Sequence, residues 1–148
     1  MGDVAPAALA LADIDRLAGL QHVDDGEDLA AVDAALAAAK ALDSKKGQDI
    51  KVLETGHLTT LADYFVICTA TSTTQVKALA DTCEKMLKDL GEAPHHVEGH
   101  REGGWILLDF SAVVVHVFMD ETRKFYGLER LWSDATEVDI SDIVLPNG

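Results

Sequence analysis

Apolar residues recur at helical spacing over Leu29, Val32, Leu36 and Ala39, which predicts a first helix. Asp28 stands where an N-cap belongs, and Lys45, Lys46 and Gly47 supply a cationic end and a stop. The short β-branched or aromatic runs Ile50 to Leu53 and Tyr64 to Ala70 read as strands. Ser72-Thr73-Thr74-Gln75 then forms a capping box ahead of Val76, Leu79, Ala80, Cys83, Met86, Leu87 and Leu90, a second helix closed by Gly91. Three more strands follow, His95 to Glu98, Trp105 to Phe110 and Val113 to Phe118, with turns at Arg101-Glu102-Gly103-Gly104 and Ser111-Ala112. The last of these is apolar on both faces, as a central strand covered on both sides should be. Asp120 can cap a final short helix with Phe125, Leu128 and Trp132 on one face, bent or weakened at Gly127 by about 1 kcal/mol.

Helix, two strands, helix, three strands and helix make an α/β or α+β domain: one mixed five-stranded sheet flanked by helices. The expected boundaries are a flexible acidic extension over residues 1–27, the folded domain over 28–133 and an acidic tail over 134–148. The extension is rich in Ala, Leu and Asp without a sustained period, and its acidic cluster Asp24, Asp25, Glu27, Asp28 lacks the alternating ligands of a calcium loop.

Charge changes the picture. The 148-residue chain has a formal net charge of −14, which repels phosphate backbones. The first 43 residues and the last 15 hold most of that excess, and the middle is nearly balanced. A basic protein is therefore a better partner than bare RNA, and no direct sequence-specific nucleic-acid binding is expected. Cys68 and Cys83 lack a C-x-x-C pattern and read as small buried hydrophobes in a reducing compartment. Neither a membrane span nor a signal peptide is visible, so a cytoplasmic protein is expected.

Candidate chemistry is sparse. On a strand His96 and His100 point the same way about 13 Å apart, too far to share a zinc ion, and His95 points to the opposite face, so no metal site is expected. His116 can act as a general base beside Asp109 or Glu129, or be a core or interface histidine tied by one hydrogen bond. No serine or cysteine has a G-x-S-x-G context. The thr/ser-rich turn before the second helix can hold a phosphate in principle, but it has neither a Gly-rich cradle nor a G-K-[ST]. A nucleotidyltransferase needs clustered carboxylates for its metal ions, and Asp63 and Asp109 are isolated acids on separate elements. No cofactor is expected, and a nucleotidyltransferase-like enzyme or nucleotide binder is the alternative function.

Gly104-Trp105-Ile106-Leu107-Leu108-Asp109-Phe110, then Val113 to Phe118, then Arg123-Lys124-Phe125-Tyr126-Gly127-Leu128-Glu129-Arg130-Leu131-Trp132 closely resemble the Iojap family, the ribosomal silencing factors. Ala62 to Ser72 resembles that family's second signature. The chain departs from the pattern at Ser111-Ala112, where relatives usually place Gly-Asp, at Ala70, where Gly is common, and in its acidic ends. The resemblance implies a nucleotidyltransferase-like fold without activity and a homodimer when free. It also implies docking on large-subunit ribosomal protein fourteen, which blocks subunit joining and lowers translation when nutrients are short. By motif, the implied partner-binding residues are Trp105, Tyr126, Leu128 and Glu129, with His116 and Arg123 as weaker candidates. Trp and Tyr are common binding hot spots, and Glu129 suits a Lys or Arg on a basic partner. Trp105 is therefore expected at the surface, with a core position as the alternative.

Overall fold

The computed structural model describes residues 30–58, 62–99, 104–131 and 133–143; the backbone alone is described at Leu128 and Leu131. The expected extension, the Asp28 cap, Leu29, His100, most of the 101–104 turn and Trp132 lie outside the described residues.

Helix α1 (Ala31–Ser44) leads into β1 (Gln48–Glu54) and β2 (Tyr64–Ala70). Helix α2 (Thr73–Asp89) is followed by β3 (His96–Gly99), β4 (Trp105–Asp109) and β5 (Val113–Met119). Two short helices, α3 (Asp120–Tyr126) and α4 (Leu128–Leu131), and the two-residue strand β6 (Thr136–Glu137) complete the order. The sheet runs β3-β4-β5-β2-β1-β6, with β2 and β5 parallel and the other pairs antiparallel.

The expected architecture is present with one strand more than the five predicted. β6 pairs Leu53 with Glu137 and Glu54 with Thr136, and the Val138 amide extends it by donating to the Val52 carbonyl at 2.8 Å. Two polar residues carry no periodic signal, so this strand exists only because β1 offers an open edge. It lies within the segment expected to be tail. β5 does occupy the interior of the sheet, between β4 and β2, and is buried from Val113 to Phe118.

Alternation along the strands builds two apolar layers. Val66, Cys68, Leu108, Val113, Val115 and Val117 face α1 and α2. Phe65, Ile67, Trp105, Leu107, Val114 and Phe118 form the opposite layer, with Tyr126 and Ala135 packed against it. Fully burying each large aliphatic or aromatic side chain contributes roughly 1.5–3 kcal/mol. Helix α1 presents to the core a stripe of Ala34, Ala35, Ala38, Ala39 and Ala41 with Leu42, while Val32 is exposed and Leu36 only half-buried. Its buried face is thus rotated from the Val32–Leu36 face read from the sequence, because small side chains let the helix sit close to its neighbours.

Local chemistry explains the element ends. Ser72 accepts from the Gln75 amide at 3.0 Å, and the Gln75 side chain returns to Thr71 and also donates to the Lys45 carbonyl at 3.2 Å. This cap therefore also ties the start of α2 to the end of α1. Helix α2 ends in a Schellman motif, with Gly91 donating to Lys88 and Glu92 to Leu87. The same motif ends α1, but Lys46, with φ 67°, takes the left-handed position rather than Gly47. Gly47 serves close packing instead, since a Cβ there would collide with the Cys68 sulfur. Ser111 has φ 77° and is held by the hydrogen bond its amide donates to the Asp109 carboxylate at 2.7 Å. Asp120 does not cap α3; Met119 is the N-cap residue without a side-chain bond, and Asp120 sits in the first turn.

Candidate docking surface

Gly127 breaks the last helical stretch in two. Its φ of 62° makes it a left-handed C-cap for α3, closed by the hydrogen bond its N–H donates to the Arg123 carbonyl at 3.0 Å. Phe125, at the end of α3, is 66% exposed, while the Tyr126 ring lies half-buried on the sheet. Tyr126 packs against Trp105 with ring centroids 4.6 Å apart and against Phe118 at 6.1 Å.

Trp105 itself is only 3% exposed. The surface position expected for it is thus not what the isolated chain shows: neighbouring rings cover the indole. It stacks on Phe118 at 5.2 Å and on His116 at 5.8 Å. The indole Nε1–H donates to His116 Nδ1 at 3.2 Å. His116 is fully buried and pairs with neither Asp109 nor Glu129, the partners considered from sequence. Asp109 is spent on the Ser111 turn and Glu129 on Arg123. Because Leu107 lies opposite His116 in the β4–β5 register, Trp105 and Asp109 are equidistant along the same face, and only Trp105 has the length to reach back.

An Nδ1 that accepts must be unprotonated, so the imidazole is the neutral form with its proton on Nε2, which has no hydrogen-bond partner among the described residues. Burial pushes the His116 pKa down to about 3. The unfolded chain therefore takes up a proton below about pH 6.5 that the folded chain refuses, and stability falls as pH drops from about 6.5 toward 3. At pH 5 this one group is expected to remove about 2 kcal/mol relative to neutral pH. Denaturant unfolding at pH 7 and pH 5 checks it. His116→Phe should lose the Trp105 bond equally at both pH values and show a smaller stability difference between them; an unchanged difference rules His116 out as its source.

Beside the aromatic group lies a cleft of ≈ 360 Å³ whose walls include Asp49, Lys51, Arg123, Lys124, Gly127 and Glu129. Arg123, 8% exposed, is its organising side chain. Its Nε donates to Glu129 Oε1 at 2.9 Å, and its Nη1 to the Asp49 carbonyl at 2.8 Å and to Thr69 Oγ1 at 2.6 Å. The Arg123 hydrogen bond, more than its charge and that of Lys51, holds the half-buried Glu129 carboxyl below the usual carboxylate range. Around the cleft Lys124 pairs with Asp120 at 3.1 Å and Lys51 with Glu137 at 3.7 Å.

Of the six residues singled out from sequence, Trp105, His116 and Arg123 are buried, Tyr126 and Glu129 are half-buried, and Leu128 opens α4. The structure brings Trp105, His116 and Tyr126 into one aromatic group, and Arg123 and Glu129 into one ion pair. Thr69 and Asp49 were missed. A single threonine in an apolar strand is an available signal, but nothing in the sequence says that Arg123, 54 residues later, lies within its reach.

Together these features define a small α+β protein whose mixed sheet carries two long helices on one face and an aromatic and arginine-centred assembly on the other. The same fold occurs in an X-ray crystal structure of a Chromobacterium violaceum protein, 38% identical, with a TM-score of 0.69 over 71% of this chain and 88% of that one. The family model for Ribosomal silencing factor during starvation matches residues 28–147, and the chain belongs to that family. It is 36% identical over 107 residues to Ribosomal silencing factor RsfS of Halalkalibacterium halodurans, covering 72% of this chain and 92% of the relative. It is 40% identical over 103 residues to Ribosomal silencing factor RsfS of Bacillus subtilis, covering 70% and 87%. Its function is that of a ribosomal silencing factor, a regulatory protein with a ribosome-associated role. No helix among the described residues is long and apolar enough to cross a membrane.

Proposed function

We propose that the protein represses translation by docking on the large ribosomal subunit through large-subunit ribosomal protein fourteen, where its bulk keeps the small subunit from joining. It does so in the cytoplasm under nutrient limitation, as a stoichiometric binder without catalytic turnover, and is a homodimer when free. The observation that carries this reading is the juxtaposition of half-buried Tyr126 and Glu129 over a rigid base of Trp105, His116 and Arg123, all within the motifs that resemble the family. A large ring on a preformed support and a carboxylate with its rotamer held are suited to a basic protein surface. The net charge of −14 favours such a partner and disfavours naked RNA. The carboxylate of Asp109, one of the two acids that a nucleotidyltransferase reading has available, is committed to a turn, which supports a role without chemistry.

Sedimentation of purified small and large subunits tests the reading. Adding saturating protein before the subunits are mixed is expected to leave them separate, with the protein travelling with the large subunit alone. Full joining in its presence, or co-sedimentation with the small subunit, overturns it.

A further inference from the structure

Arg123 does more than neutralise Glu129. Three elements converge on its guanidinium: the β1 bulge through the Asp49 carbonyl, β2 through Thr69 Oγ1, and α4 through Glu129. Register is lost between Gln48 and Lys51, and Asp49 adopts a left-handed φ of 47°, so this stretch of β1 departs from the regular ladder. Thr69 is 4% exposed in a strand whose preceding residues are Phe65, Val66, Ile67 and Cys68. Valine would fill its place with nearly the same shape, so what threonine adds is an acceptor for the guanidinium.

Building on the docking proposed above, we propose that Thr69 and the Asp49 carbonyl are positioning groups for the Glu129 docking carboxylate, acting on it through the Arg123 guanidinium. A free arginine side chain carries about 2 kcal/mol of rotamer entropy. Anchoring Nη1 at two fixed acceptors removes that freedom before binding and aims Nε at Glu129 Oε1. The carboxylate is thereby held across the Gly127 bend at one oxygen. None of the described hydrogen bonds or ion pairs uses its second oxygen, Oε2, which remains for a Lys or Arg of the basic partner. The fold thus sets the direction of a surface charge from a hydroxyl inside the sheet.

A double-mutant cycle on binding separates positioning from a purely structural role. Affinity for purified large ribosomal subunits is measured for the full chain, Thr69→Val, Thr69→Ser, Glu129→Gln and Thr69→Val with Glu129→Gln, with thermal unfolding followed alongside. Thr69→Val is expected to weaken binding roughly tenfold, the scale of one hydrogen bond to a charged group. Thr69→Ser, which keeps the hydroxyl, should stay within about twofold, and Thr69→Val should have little further effect once Glu129 is Gln. Full affinity in Thr69→Val, an equal loss in both Glu129 backgrounds, or a Thr69→Ser as weak as Thr69→Val overturns the inference while leaving the docking surface standing. Full affinity in Glu129→Gln alone overturns the docking surface and the inference with it. Should Thr69→Val fail to fold, Arg123→Lys enters the same cycle, since it keeps the charge but lacks the planar fork that joins the three acceptors.

Discussion

Trp105→Ala is expected to destabilise the folded domain by about 3–5 kcal/mol, the range for removing a buried aromatic side chain from a packed core. The indole is 3% exposed and lies against Phe118, His116 and Tyr126, so its removal empties the centre of the second apolar layer. It also deletes the donor that His116 Nδ1 accepts. With domain stabilities of about 5–15 kcal/mol, such a loss leaves a substantial unfolded fraction in the weaker part of that range. Trp105→Phe should recover most of the packing but not the hydrogen bond, and fall between the two. Guanidinium unfolding of the three proteins at pH 7 measures this directly. A loss under about 1 kcal/mol for Trp105→Ala is incompatible with a core position. The result bears on function as well, because any loss of ribosome binding in Trp105→Ala has to be separated from loss of fold.

Tyr126→Ala is expected to act mainly on binding, at about 2–4 kcal/mol or roughly 30- to 1,000-fold in affinity, with a smaller loss of stability. The ring is half-buried, supported from beneath by Trp105 and Phe118 and at its edge by Phe125, with centroids 5.6 Å apart. A large ring already held in place loses little further freedom on docking, which is the property that makes tyrosine a frequent hot spot. The measurement is affinity for isolated large-subunit ribosomal protein fourteen at two salt concentrations, with thermal unfolding as the control. Charge attraction from Glu129 should weaken at the higher salt in every variant, whereas the Tyr126 contribution should change less. Unchanged affinity in Tyr126→Ala moves the interface elsewhere on the protein. Affinity lost only in proportion to unfolding assigns the ring to the core.

Much of the molecule is legible in the sequence. The spacing Val76, Leu79, Ala80, Cys83 and Leu87 gave α2 and its buried face, and Ser72 with Gln75 gave its cap. The two-sided apolar run from Val113 placed β5 in the interior of the sheet, because a strand with no polar face has no side to turn to water. The motifs from Ala62 to Ser72 and from Gly104 to Trp132 were enough to indicate the silencing-factor family. These features depend on residues near one another in the chain, where helix and strand periods fix which side chains share a face.

What only the tertiary structure decided concerns residues far apart in sequence. α1 turned its alanines inward because close neighbours reward small side chains, which its own periodicity does not report. β6 formed from two polar residues because β1 presented an open edge. Trp105 went from expected surface to core because His116, Phe118 and Tyr126 close around it, and His116 took the indole as its partner because register put that ring within reach. Thr69 joined the arginine-centred assembly only when parallel pairing of β2 with β5 carried α3 back over β2 and put Arg123 beside it. Periodicity tells each residue which way to face, and the chain's long-range pairing determines what it meets there.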